Sequence, residues 1–201
     1  MRYLTLLLAS LSIKMTNLVA CAHLYHATRR SSLDAIMKEG LLSRFHGKIH
    51  GAMEYGPAGD SVYLSRMKQS NNLNAALFDG EDVVVVLRID GSALDETSIY
   101  PDTPLYKLID EKFLPEDVHA NTAELEESIS AFRAHFRMEA AKARRILLAC
   151  HEASSATDYP TICREMWPEY LEIEGEIAYL GDIPASAIQA WTNRESSVHL
   201  R

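Results

Sequence analysis

The chain has 201 residues, 47% of them hydrophobic and 24% charged, the proportions of a globular protein able to bury one sizeable core. A formal net charge of −8 sets aside a protein that simply coats nucleic acid, since phosphate binding rests on Lys and Arg, while leaving room for a local basic patch. The three cysteines, Cys21, Cys150 and Cys163, form no CxxC pair, no His-spaced zinc pattern and no even disulfide framework, so a reducing, cytoplasmic compartment and no metal site are expected.

In chain order, Tyr3 to Ile13 is an apolar run behind Arg2, and Leu18-Val19-Ala20-Cys21 looks like a lipoprotein cleavage site, which read literally is an export signal. Lys14 and Asn17 interrupt it, and the apolar run is too short to span a bilayer. Residues 1–20 are therefore read as an uncertain leader or a misassigned start, with export as the alternative. Leu18 to Thr28 reads as a strand whose alternation places Leu24, His26 and Thr28 on one face. Ser31 is the predicted cap of a helix carrying Leu33, Ile36, Met37 and Leu41 at helical spacing and ending at Gly40. Residues 43–60, rich in glycine and carrying Arg44, His46, Lys48 and His50, read as a basic loop suited to a pyrophosphate or a nucleic-acid acceptor, or simply solvated. His46 and His50 lack a third ligand for zinc.

Val62-Tyr63-Leu64-Ser65 predicts a short strand, and Val83 to Ile89 a central strand buried on both faces. From Tyr100 to about Pro168 the pattern is helical. Asn121 and Glu124 form a capping-box start for one long helix with a stripe of Leu125, Ile129, Phe132, Phe136, Ala140, Ala143 and Leu147. Lys142, Arg144 and Arg145 stand near its predicted end, where they complement the helix dipole. Tyr170 to Leu180 predicts a strand with Glu172, Glu174 and Glu176 on one face. A roughly 7 Å spacing there would raise the pKa of at least one of them inside a cleft. Gly181-Asp182 turns the chain toward a last strand at about Gln189 to Thr192.

The stretch LYHATRRSSLDAIMKEGL, the VYLS strand after the glycine-rich loop, and GEIAYLGDIPASAI together resemble the ADP-ribosyltransferase superfamily in its His-Tyr-Glu form. They are more distantly similar to RNA 2′-phosphotransferases and to the catalytic domains of poly(ADP-ribose) polymerases. The resemblance covers residues 22–66 and 172–190. It implies an α+β fold, with a split pair of small mixed β-sheets around an NAD cleft and a helical insertion at about residues 100–168, all in one domain over residues 21–201.

The resemblance further implies that NAD is the co-substrate and that His26, Tyr63 and Glu176 are catalytic. Glu176 would hold the ribose and its developing positive charge, Tyr63 would stack on nicotinamide, and His26 would bond a ribose hydroxyl. Ala27, standing where the family prefers Gly, would meet the carboxamide through its backbone. Thr28 and Ser65 would add hydroxyl bonds, and Arg44 would serve the pyrophosphate. Glu174 forms a Glu-x-Glu pattern with Glu176, as in the arginine-modifying branch, and would orient an acceptor.

The implied activity is mono-ADP-ribosyl transfer to a protein or nucleic-acid acceptor, in the manner of a toxin or effector that could have an antidote partner. Alternatives are an NAD-dependent RNA 2′-phosphotransferase, an NAD glycohydrolase toxin, and a non-catalytic module binding NAD or ADP-ribose.

Overall fold

A computed structural model describes residues 23–43, 61–66, 84–114 and 122–191. The leader, the basic loop from Arg44 to His50, and Asn121 lie outside them. The fold is mixed α+β, and the chain divides into two compact units: Met1–Leu41 with Leu64–Leu94 and Asp182–Arg201, and Leu42–Tyr63 with Asp95–Gly181.

In the first unit, β1 (His23–Arg29) pairs along its whole length with β3 (Val84–Asp90), setting Leu24 against Ile89, His26 against Leu87 and Thr28 against Val85. β3 also pairs with β6 (Ile188–Trp191), and Tyr25 of β1 bridges Ser65, the last residue of β2 (Val62–Ser65). These ladders are antiparallel, where mixed sheets were expected. The two-residue alternation of a strand collects Leu24, His26, Val85, Leu87, Ile89 and Ile188 on the buried face. On the other face Tyr25 meets Trp191 edge-on at 6.2 Å and Arg88 lies 5.9 Å from the Trp191 ring centroid. β3 is thus buried on one face and not on both: Arg88 needs a wet or aromatic neighbour, and that fixes which side faces the core.

The helix after β1, α1 (Leu33–Glu39), opens through a 3-10 turn over Arg30–Ser32. Ser31 therefore lies inside the turn rather than capping the helix; Ser32 is the cap residue and makes no side-chain cap bond. Gly40 ends α1 with φ 93, a backbone conformation that L side chains rarely adopt. The chain then runs straight into Leu41, which exchanges two backbone hydrogen bonds of 2.9 Å with Ile183. A Cβ on Gly40 would stand 2.3 Å from the Ile183 carbonyl oxygen, so close approach as well as φ demands glycine.

The second unit pairs β4 (Ile99–Pro101) with β5 (Glu176–Tyr179), again antiparallel, and carries most of the helix. α2 (Pro104–Leu108) continues into a wider π turn over Ile109–Phe113. α3 (Thr122–Phe136), α4 (Ala140–Glu152), α5 (Tyr159–Cys163) and α6 (Trp167–Ile173) follow. Their shared core includes Tyr106, Phe113, Phe132, Phe136, Leu147, Cys150, Cys163 and Tyr170. Phe132 is central to it, with ring centroids 5.2 Å from Phe113 and 5.1 Å from Phe136.

The single long helix predicted from Asn121 onward is two helices. Arg137 takes φ 51, and Met138 turns inward to 5% exposure, so the apolar stripe continues across a corner instead of along one axis. Ala140, expected on the stripe, is exposed. The corner also changes the reading of the basic residues. Lys142, Arg144 and Arg145 sit near the start of α4, where a helix dipole disfavours cations, and they are held by side-chain partners instead. Lys142 bonds Glu169 at 2.8 Å and the Glu165 carbonyl at 2.8 Å, Arg144 bonds Glu126 at 2.5 Å, and Arg145 bonds Glu165.

The strand predicted from Tyr170 is likewise shorter. Residues Trp167–Ile173 are helical, and Gly175 with φ 81 turns the chain so that β5 starts at Glu176. Glu172, Glu174 and Glu176 do not share a strand face.

Candidate functional site

In the second unit Glu176, the first residue of β5, is buried at 7% exposure. Ile99 pairs with Tyr179, Tyr100 with Ala178 and Pro101 with Ile177. The antiparallel register therefore leads the next residue, Asp102, past the end of the ladder to a place beside Glu176. Asp102 is buried too, at 5% exposure. One of its oxygens, Oδ1, accepts the Thr103 backbone N–H at 2.6 Å, and the charge of Glu176 acts on its carboxyl. Burial, which disfavours the anion, pushes the Asp102 carboxyl up to about 7 from its usual 3.8; the Thr103 N–H opposes this, and the charge and hydrogen bond of Glu176 add to it.

Two buried tyrosines stand beside the pair. The Tyr106 hydroxyl donates to the Pro101 carbonyl at 3.0 Å, holding α2 against the end of β4. Burial pushes both Tyr106 and Tyr170 up, with the nearby Asp102 charge contributing to each, so both phenols are neutral donors throughout the physiological range. Tyr63 acts electrostatically on Tyr106 and is half-buried on β2. Within this unit the structure therefore brings Glu176, Asp102, Tyr106 and Tyr170 together, and reaches Tyr63 through Tyr106.

The other candidates belong to the first unit. His26 is 6% exposed on the buried face of β1. Ala27 and Thr28 follow it, half-buried, opposite Val86 and Val85. Ser65 is buried and its hydroxyl donates to the Tyr25 carbonyl at 3.4 Å, which tethers β2 to β1. Arg44 lies outside the described residues. Glu174 stands on the surface at the end of α6, 3.3 Å from the His135 ring.

Asp102 was not legible as a site residue. In Pro101-Asp102-Thr103-Pro104 it has the signature of a turn that starts a helix, and it does make the local bond expected of one. Only the β4 to β5 register reveals its second role, and a three-residue strand ending in proline gives little sign of that register.

Among the described residues no group of three or more His, Cys, Asp or Glu side chains could hold a metal ion, and no helix is long and apolar enough to cross a membrane. No family model matches the chain, and no curated protein matches it.

Proposed function

We infer that the chain is a mono-ADP-ribosyltransferase that takes ADP-ribose from NAD, releases nicotinamide, and passes the sugar to a protein or nucleic-acid acceptor. The family resemblance of residues 22–66 and 172–190 suggests the reading, and the observation that carries it is the burial of Glu176 at the head of β5. Breaking the nicotinamide–ribose bond sends its electron pair to the ring nitrogen and leaves an oxocarbenium-like sugar. A carboxylate withdrawn from water stabilises that charge far better than an exposed one.

In this reading Glu176 faces the anomeric carbon and accepts a bond from a ribose hydroxyl. The resemblance assigns Tyr63 to the nicotinamide ring and His26 to a ribose hydroxyl. The Ala27 backbone meets the carboxamide, Thr28 and Ser65 supply hydroxyls, and Arg44 serves the pyrophosphate. The acceptor's nucleophile then bonds the anomeric carbon and gives up its proton.

The test is to incubate the purified protein with adenylate-labelled NAD and a cell lysate, following nicotinamide release and label transfer for wild type and Glu176→Gln. Wild type is expected to release nicotinamide, and the variant to lose about 10²-fold or more in rate. Label on protein or on nucleic acid identifies the acceptor class, whereas nicotinamide without transferred label means that water is the acceptor. No NAD consumption by wild type overturns the proposal.

A further inference from the structure

Asp102 follows and Glu176 precedes the last β4–β5 pair, Pro101 with Ile177, so the antiparallel register brings the two carboxyls alongside each other just past the end of the ladder. Both carboxyls are almost removed from solvent, and the charge of Glu176 acts on Asp102. Two neighbouring buried carboxyls do not both ionise readily, because each anion disfavours the other, so one of them keeps a proton that it can donate to its neighbour. The Thr103 N–H fixes Oδ1 of Asp102, and the phenol of Tyr106, anchored on the Pro101 carbonyl, packs α2 behind it. Asp102 is therefore locked in place from the backbone side and meets Glu176 on the other.

We propose that Asp102 is a positioning residue for Glu176: in its protonated form it donates a hydrogen bond that holds the Glu176 carboxylate in one orientation and keeps the buried pair at a single negative charge. This rests on the reading of Glu176 as the ribose-facing carboxylate. Glu176 accepts the Asp102 proton, and its carboxylate accepts the ribose hydroxyl when substrate is bound. Loss of that proton removes the donor and sets two anions side by side, so Glu176 is repelled from its working position. Glu176 holds the substrate; Asp102 acts through it.

The proton that matters leaves near neutrality, because burial and the Glu176 charge push the Asp102 carboxyl up to about 7. The groups around the pair are Thr103, Tyr106 on α2 and Tyr170 on α6, with Tyr63 acting on Tyr106 and Glu174 on Tyr170. Both buried phenols stay neutral in this range. Glu174, with its partner His135, is present unchanged in every variant below.

The experiment measures kcat and KM for nicotinamide release between about pH 5.5 and pH 9 for wild type, Asp102→Asn and Asp102→Leu. In wild type kcat is expected to fall as pH rises through about 7. The Asn amide donates but does not titrate, so in Asp102→Asn that fall disappears while activity below it is kept. Asp102→Leu lacks the donor and is expected to lose about 10²-fold in kcat at every pH. Turnover whose alkaline fall is the same in wild type and Asp102→Asn overturns the assignment alone. Absence of any NAD turnover by wild type overturns the functional reading and the assignment with it. A second measurement needs no Asp102 variant. The infrared band of protonated carboxyls is followed through the same pH range in wild type and Glu176→Gln. A band lost near pH 7 in wild type and at lower pH in the variant is expected, and a band that titrates identically in both overturns the shared proton.

Discussion

The Asp102–Glu176 pair makes the stability of the protein depend on pH in the direction opposite to that of most carboxylates. An ordinary salt-bridged Asp has a depressed pKa when folded and stabilises above it. Asp102 is raised from 3.8 to about 7 by burial first, and then by Glu176. Between those values the folded protein keeps a proton that the unfolded chain releases. Stability is therefore fully present below about pH 4 and is lost as pH rises to about 7, above which both states are deprotonated and the dependence ends. A raise of about three units at 1.36 kcal/mol each amounts to about 4 kcal/mol across the window, which is an upper figure because the pair is coupled and relaxes.

Asp102→Asn removes the titration and retains the shape. Urea unfolding of both proteins at intervals from about pH 4 to pH 8 gives their difference in stability, in which all other titrating groups cancel. Relative to the variant, wild type is expected to lose ground by up to about 1.4 kcal/mol per pH unit inside the window, and to run parallel above it. Curves that stay parallel from pH 4 to pH 8, or a wild type that gains on the variant as pH rises, would refute the shared proton.

Three further outcomes follow from the packing. Gly40→Ala combines φ 93 with a Cβ placed 2.3 Å from the Ile183 carbonyl oxygen, so a loss of about 2 kcal/mol or more is expected in chemical denaturation. Phe132→Ala empties the centre of the aromatic cluster, where Phe132 is fully buried, and should cost about 3–5 kcal/mol with a lowered Tm. The Cys150 and Cys163 sulfurs lie 3.7 Å apart and buried. The hydrogen bond between them and burial raise the Cys163 thiol well above its usual value, so both should resist a thiol reagent in the native protein and react only after unfolding.

Much of the fold could be read from hydrophobic pattern and punctuation. The alternation of Leu24, His26 and Thr28, the VYLS strand, and the Gly40 stop all rest on local signals. The failures arise where tertiary packing overrides them. Nothing between Phe136 and Ala140 is a helix breaker by composition, yet Arg137 enters the left-handed region because burying Met138 requires the chain to turn. The basic run from Lys142 looked like a helix end for the same reason. Once the corner is placed before it, those cations sit where a dipole repels them, and their carboxylate partners Glu169, Glu126 and Glu165 take over the stabilising role.

The carboxylates show the same limit at the candidate site. Glu172, Glu174 and Glu176 alternate in a way that fits one strand face, but Trp167-Pro168 also fits a helix start, with Pro in the first turn. The helix prevails because it buries Trp167, Tyr170 and Leu171, which a strand would divide between two faces. Glu174 is then left outside, beside His135, and the along-chain pairing suggested by Glu174-Gly175-Glu176 dissolves. What stands next to Glu176 comes from across the ladder, 74 positions earlier in the sequence, as Asp102. Cross-strand neighbours of this kind are set by register, and register is decided by the whole sheet rather than by the few residues that carry the chemistry. The two pairings also predict different behaviour, since a carboxyl buried across the ladder, as Asp102 is, keeps its proton to about neutrality and a carboxyl in water does not. The pH at which the pair loses its proton therefore distinguishes a site built along the strand from one built across it.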